Sequence, residues 1–402
     1  MKKIQDMDVR NKTIILRCDF NVPIEDGKIL DSNKIEKSLK TIDYLQDNNC
    51  KIIILSHLGR VKKEEDLEKN TLKPVADYLS NIYKEKFMFV NNCRGVEIIQ
   101  KAKSLKEKDI LLLENTRHQD FPEKLESGND LELAEFWASL GDIFCLDAFG
   151  SAHRAHASTA GIAKFIPSCI GFLVEEELNN LNQLINVKEH PFTVIMGGAK
   201  VDDKILLIRS LLPKCDYLLI TGGIANTFLK VLKFNVGSSL ASKDEKILNE
   251  VKNLLLEYKE KIILPIDVIV TNNYDKSYIK TSAINKLNDN DVIYDAGVKT
   301  LEKFSLAINK SKMVFVNGTL GLYEDERFSN GTKECFRILA SSGAKIIVGG
   351  GDSVSAVKKF GYKDKFDYLS SGGGATIDYI VDGKLDALDA IERGIEIETL
   401  DV

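Results

Sequence analysis

GFLVEEELNNLNQLINV, running from Gly171 to Val187, divides the chain near its midpoint. Val174, Leu178, Leu181 and Ile185 recur at helical spacing, with Glu175, Asn179, Asn182 and Asn186 opposite them. The segment therefore reads as a surface helix of about four turns that docks by one face. Pro167 and Pro191 bracket it. The pattern alone suits an ordinary helix inside one domain equally well. The different chemistry on its two sides makes it a connector.

Outward from that helix, 402 residues exceed what one hydrophobic core usually serves, so two domains of about 170 to 200 residues are expected. With 44% hydrophobic and 29% charged residues, the composition is that of a globular protein. A net charge of -5 argues against a general nucleic-acid binder, which needs a basic surface. The seven cysteines, at 18, 50, 93, 145, 169, 215 and 335, form no CxxC pair and read as reduced core residues of a cytoplasmic protein. The N-terminus MKKIQDMDVR lacks an apolar leader core, and no window approaches the 18 or so apolar residues of a membrane span, so neither a membrane nor a nucleic-acid partner is expected.

Short β-rich runs alternate with amphipathic, helix-length segments, the signature of an α/β protein with parallel sheets. Strands are expected at Ile14 to Phe20, Lys51 to Ser56, Phe87 to Val90, Asp109 to Glu114 and Asp142 to Phe149. Helices fall near Ser32 to Asn48, Thr71 to Asn81, Arg94 to Lys103 and Leu131 to Leu140. Past the connector, strands are expected at Phe192 to Met196, Tyr217 to Ile220, Ile262 to Val270, Met313 to Val316 and Lys345 to Val348. The charge run Lys62 to Lys69 reads as a solvated loop.

Ligands of open parallel sheets bind beyond the carboxyl ends of the strands, so the residues there carry the functional weight. In the first half these ends read RCDFN (Arg17 to Asn21), SHLGR (Ser56 to Arg60), ENTR (Glu114 to Arg117) and DAFGSAHRAHAST (Asp147 to Thr159). All five histidines precede residue 191. Any one arginine could simply pair with a surface acid. Arg60, Arg117 and Arg154 together, with His57 and His153, point to a cationic pocket for a small anion, because guanidinium forks match phosphate and carboxylate. Metal binding at His153 and His156 is the minor alternative, since no acidic or cysteine partner stands at helical spacing.

In the second half the strand ends are glycine-rich: MGGAKVDDK (Met196 to Lys204), TGGIANT (Thr221 to Thr227), VNGTLG (Val316 to Gly321), VGGGDS (Val348 to Ser353) and SSGGGAT (Ser370 to Thr376). A glycine turn leading into a helix presents free N–H groups to a phosphate, although each motif alone could be steric relief. Lys200 and Lys204, one turn apart past Gly197 and Gly198, would reach the same phosphates. Asp352 at a helix start could hold a magnesium ion. Neither GxxxxGK[ST] nor GxGxxG is present, which disfavours P-loop and dinucleotide-binding proteins.

These motifs, in this order and approximate spacing over almost the whole chain, resemble the phosphoglycerate kinase family. The resemblance implies two Rossmann-like three-layer domains with parallel sheets joined by a connector helix. The expected division is 1–170, joined by a returning segment 385–402, then 171–187 as connector and 188–384 as nucleotide domain. It also implies a monomer that closes by hinge bending, with 3-phosphoglycerate or 1,3-bisphosphoglycerate on the first domain and Mg2+-bound ADP or ATP on the second. Asp19 and Asn21 would hold the glycerate hydroxyl and carboxyl region, and His57, Arg60, Arg117 and Arg154 its phosphate. Lys200 would meet the transferred phosphoryl group, faced also by Gly373 and Gly374. Gly198, Lys204, Gly350, Gly351 and Ser353 would bind nucleotide phosphates, Glu324 the ribose and Asp352 the magnesium, with Gly297 near the adenine. Where the family carries an arginine that neutralises the transferred group, this chain has Lys34, which keeps the charge but loses the planar fork. Val61, Leu146, Thr221 and Thr319 are further departures, as is LDALDAI in place of a C-terminal LPG. A non-catalytic member, or a kinase for another small carboxylate, would share most of these features.

Overall fold

The computed structural model describes residues 1–199, 201, 202, 204–272 and 278–395. Two compact units form: Met1–Asn179 with the segment that begins at Lys384, and Asn180–Gly383. The first is built on β1 (Thr13–Cys18), β2 (Lys51–Leu55), β3 (Phe87–Phe89), β4 (Ile110–Leu112), β5 (Ile143–Asp147) and β6 (Ser168–Ile170). All pair in parallel, in the order β3-β4-β2-β1-β5-β6. Runs such as TIILRC and KIIIL are buried along almost their whole length because helices cover both faces of a parallel sheet. On one face Ile14, Leu16, Ile52, Ile54, Ile110 and Leu112 meet Ile35, Ile42 and Leu45 of α1 (Asn33–Asp47) and Val75 and Leu79 of α2 (Lys73–Tyr83). Two more helices, α3 (Val96–Ser104) and α4 (Leu131–Ala138), complete the βα alternation. The Lys62 to Lys69 run contains one exposed helical turn, Glu65–Lys69.

The connector helix α5 runs Phe172–Ile185, and the boundary between the units falls inside it. Its buried stripe is Leu173, Val174, Glu177, Leu181 and Leu184, so the expected stripe is displaced. Leu178 and Ile185 are only half-buried. Asp147, at the end of β5, caps the helix: its Oδ1 accepts from the N–H groups of Leu173 (2.9 Å) and Val174 (3.4 Å). Gly171 lets this happen, since a Cβ there would lie 2.3 Å from that oxygen.

The second unit contains β7 (Phe192–Met196), β8 (Tyr217–Ile220), β9 (Ile262–Ile263), β10 (Asp267–Asn272), β11 (Ile279–Ala283), β12 (Asp291–Ala296), β13 (Met313–Asn317), β14 (Lys345–Gly349) and β15 (Tyr368–Leu369). Its main sheet is parallel, in the order β9-β8-β7-β13-β14-β15. Helices α6 (Ile205–Leu211), α7 (Gly222–Val231), α8 (Glu245–Tyr258), α9 (Val298–Ile308), α10 (Asn330–Ser341), α11 (Gly351–Lys359) and α12 (Gly374–Asp382) alternate with the strands. The single strand expected over Ile262 to Val270 is instead two. Pro265, without an N–H, breaks the ladder. The residues beyond it form β10, which joins β11 and β12 in a separate antiparallel sheet.

The last helix, α13 (Asp386–Arg393), belongs to the first unit, buries Ala387, Leu388 and Ile391, and donates from Ala387 N–H to Ala152 O at 3.0 Å. Its apolar face is short; residues 396–402 lie outside the described ones. All seven cysteines are free and buried. No helix among the described residues is long and apolar enough to cross a membrane.

Candidate active site

Four loops leaving β1, β2, β4 and β5 are tied together by side chains of the motifs themselves. Ser56 Oγ accepts from Phe20 N–H (2.8 Å), joining the first two loops. Asn115, fully buried, accepts from Leu58 N–H (3.1 Å) and Arg117 N–H (3.0 Å) and donates to Leu58 O and Asn70 O. Glu114 accepts from Thr71 Oγ1 (2.6 Å) and Leu72 N–H (2.7 Å), fastening the start of α2. These groups hold the loops rather than a ligand.

The loops surround a cavity of about 330 Å³ lined by Asn21, His57, Gly59, Arg60, Arg117, Gly150, Ser151, His153, Arg154 and His156. Five of the residues expected to bind the acid are thus brought together. Asp19 and Lys34 are not on the wall. Instead Lys34 Nζ sits 2.9 Å from Asp19 Oδ2, and Asp19 Oδ1 accepts from Asn21 N–H (3.2 Å). Burial pushes the Asp19 carboxyl up, but Lys34 and Arg17 outweigh it and its pKa lies below the ordinary aspartate value.

The electrostatics favour an anion. Burial lowers the Arg117 pKa; Asp120, 4.0 Å away, and Glu126 push it back, while Arg154 and Arg60 add to the lowering. Arg117 Nε and Ser151 Oγ are buried without a hydrogen-bond partner. Burial first, then Arg117 and Arg17, pulls His156 down to about 4, leaving it neutral at pH 7. Sequence reasoning missed Arg17, Ser151 and Glu126. Arg17 was visible in RCDFN, but nothing in a strand-end motif says whether a side chain faces the ligand or the core.

In the second unit a cavity of about 520 Å³ is lined by Gly198, Ala199, Gly222, Gly223, Thr319, Glu324 and Asp352, with apolar walls from Leu240, Ile293, Tyr294 and Leu322. It lies at the ends of β7 and β13, the point where strand order reverses. The turns approach backbone to backbone: a Cβ on Gly223 would lie 1.8 Å from Ala199 O, and one on Gly318 2.1 Å from Gly197 O. Lys204 Nζ donates to Gly197 O (2.7 Å) and Asn317 O (3.2 Å), at the base of these turns rather than on the cavity wall.

Gly350 (φ +92°) and Gly351 open α11, and Ser353 Oγ accepts from Gly318 N–H at 2.5 Å. Gly373 (φ +54°) and Gly374 open α12. Gly297 does not line the cavity. It caps α9, and a Cβ there would lie 2.3 Å from the Asp267 carboxyl carbon, so packing requires this glycine. Lys200 lies outside the described residues. The apolar walls come mostly from β12 and the loop after β13, which short, half-polar runs did not announce. Among the described residues, no three His, Cys, Asp or Glu side chains could hold a metal by themselves. Asp352 on the cavity wall suits an ion completed by substrate phosphates.

Two units built on parallel sheets, one with an arginine-lined cavity and the other with a glycine-lined one, have the features expected of a phosphotransferase with two substrates. A sequence model of the phosphoglycerate kinase family matches residues 4–384. The phosphoglycerate kinase of Enterococcus faecalis is 42% identical over 386 residues, covering 95% of this chain and 96% of its own length. That of Finegoldia magna is 43% identical over 398 residues, covering 98% and 99%. Among solved structures, phosphoglycerate kinase from Coxiella burnetii superposes with a TM-score of 0.85 at 33% identity, over 97% of this chain and 98% of that one. The Pyrococcus horikoshii enzyme gives 0.82 at 28% identity over 98% of both. The chain belongs to the phosphoglycerate kinase family. It is a kinase whose phosphoryl acceptor is a carboxyl group.

Proposed function

We propose that this kinase carries out the glycolytic exchange between 1,3-bisphosphoglycerate and ADP, giving 3-phosphoglycerate and ATP, with the acid in the arginine-lined pocket and the nucleotide in the glycine-lined one. The observation that carries the assignment is the convergence of Arg60, Arg117 and Arg154 on one small cavity, with Arg117 Nε buried and unbonded. Asn21 faces the glycerate, Asp19 acts from behind the wall by accepting from Asn21 N–H, and His57 adds a ring donor. Glu324, Gly198, Gly350, Gly351 and Ser353 cradle the nucleotide, and Lys204 supports their turns. Lys200, Lys34, Gly373 and Gly374 are assigned to the transferred group.

The inventory suits the chemistry. A carboxylate has a pKa of about 4 and is already ionised at pH 7, so the transfer needs no general base. What remains is to align donor and acceptor and to neutralise charge spread over three equatorial oxygens, which is work for arginine, lysine and helix N-termini. Asp352 would hold Mg2+, which when bound neutralises nucleotide phosphate charge. Because the pockets belong to separate units, in-line transfer requires the units to close, with α5 as the connector. The protein is assigned as a cytoplasmic monomer; its seven reduced, buried cysteines suit that compartment.

The test is ATP formation from 1,3-bisphosphoglycerate and MgADP in a coupled assay, with acetyl phosphate as control. ATP is expected from the bisphosphoglycerate alone. Equal yield from acetyl phosphate, or none from either, would overturn the assignment.

A further inference from the structure

Arg17 is fully buried near the end of β1, and its guanidinium does not line the arginine pocket. Its donors point inward. Nε donates to Ser158 Oγ (2.8 Å), Nη1 to the Cys18 carbonyl, and Nη2 lies 3.1 Å from His57 Nδ1. Ser158 Oγ donates in turn to Glu126 Oε1 (2.5 Å), and Ser158 N–H donates to Oε2 (2.9 Å), so a buried carboxylate supplies counter-charge through one hydroxyl. Three inward partners leave the guanidinium little freedom to turn.

A guanidinium carries five N–H donors and no acceptor. Its contact with His57 therefore sets the roles: Nδ1 accepts, and the ring proton sits on Nε2. An imidazolium would bring a second ring N–H against the guanidinium at the same distance. The charged groups facing the ring are Arg17 and Asp19 from β1 and its end, Arg117 from the loop after β4, and Lys34 from α1. Burial first, and then Arg17, holds the ring well below the usual histidine range.

We propose that Arg17 is a positioning residue that locks His57 in the neutral Nε2–H form, so that the pocket receives one ring donor whose state does not change across neutral pH. The consequence for substrate binding rests on the reading of the arginine pocket as the acid site; the lock itself is tested without substrate.

Ring-nitrogen NMR of the full chain, labelled with nitrogen-15, between pH 5 and 8 should show His57 Nδ1 unprotonated, Nε2 protonated and no titration. A ring that titrates in that window, or carries its proton on Nδ1, overturns the proposal, and this spectrum of the parent decides the matter even where a variant fails to fold. Arg17→Lys keeps the charge, but one ammonium cannot serve Ser158, the Cys18 carbonyl and His57 together. In that variant the ring should titrate or mix tautomers. The ratio of variant to parent KM for 3-phosphoglycerate should then change about tenfold between pH 6 and 8, the scale of one hydrogen bond to a charged group. Using the ratio cancels the titration of the substrate phosphate. A pH-independent ratio with an unaltered ring would mean that Arg17 only fills space, and the proposal fails. Should the parent ring be locked while His57→Gln leaves that KM unchanged, the lock stands and the acid-site reading falls.

Discussion

Lys34 and Asp19 form the ion pair on which rate is expected to turn. The ammonium meets one carboxylate oxygen at 2.9 Å, and the lysine remains about a third exposed. A lysine is a point charge, whereas arginine at this position could pair with Asp19 by one edge and keep further donors for the transferred phosphoryl group. Lys34→Arg should raise kcat several-fold in the coupled assay with little change in thermal midpoint. A variant no faster than the parent would remove Lys34 from the account of turnover. At this scale the motifs marked where chemistry lies better than what each residue does. ENTR drew attention to the loop after β4, yet within it Glu114 and Asn115 are spent on holding this loop to its neighbours and only Arg117 reaches the cavity. Gly297 likewise drew attention as a ligand position, and its environment is the Asp267 carboxylate.

Asp147 links two elements, closing β5 and capping α5, and this placement has a cost. Burial pushes its carboxyl up to about 6 from an ordinary 3.8, while the N–H groups it caps pull the other way. A carboxyl whose folded-state pKa is raised binds its proton more tightly folded than unfolded. Stability is therefore gained below the folded value and lost as pH rises from about 4 to about 6, with a full span of about 3 kcal/mol. Between pH 5 and 7 the parent should lose about 1 kcal/mol of unfolding free energy from this group. In Asp147→Asn, whose amide oxygen still caps α5, that increment should be missing. Urea denaturation of both proteins at pH 5, 6 and 7 measures the difference, and parallel pH profiles would refute the assignment. Element existence was legible in the long periodic runs: β7 and β8 fall where hydrophobic runs placed them, and α1 within a residue of its expected ends. The antiparallel sheet of β10, β11 and β12 was not, because IKTSA and DVIYDA are short and half-polar. Both pair with β10 rather than with the main parallel sheet.

At the scale of the whole molecule, the arginine-lined cavity belongs to one unit and the glycine-lined cavity to the other, and α5 crosses the boundary between them. The proposed closure about α5 has a direct measure. The radius of gyration from small-angle scattering should fall when 3-phosphoglycerate and MgADP are both present, and by less with either alone. An unchanged value with both bound would count against α5 as a hinge. The alternation of apolar runs and amphipathic segments was enough to specify a parallel α/β architecture, because a strand buried on both faces must be apolar throughout. Residue type at the strand ends was enough to separate a cationic half from a glycine-rich half. Neither could settle which polar groups turn inward. That choice depends on the burial of a carboxylate such as Glu126, on the reach of a hydroxyl such as Ser158, and on the absence of any acceptor on a guanidinium. Only packing brings Arg17 to Ser158, 141 residues away, and Ser158 to Glu126, 32 residues away, and with them the form in which His57 faces its pocket.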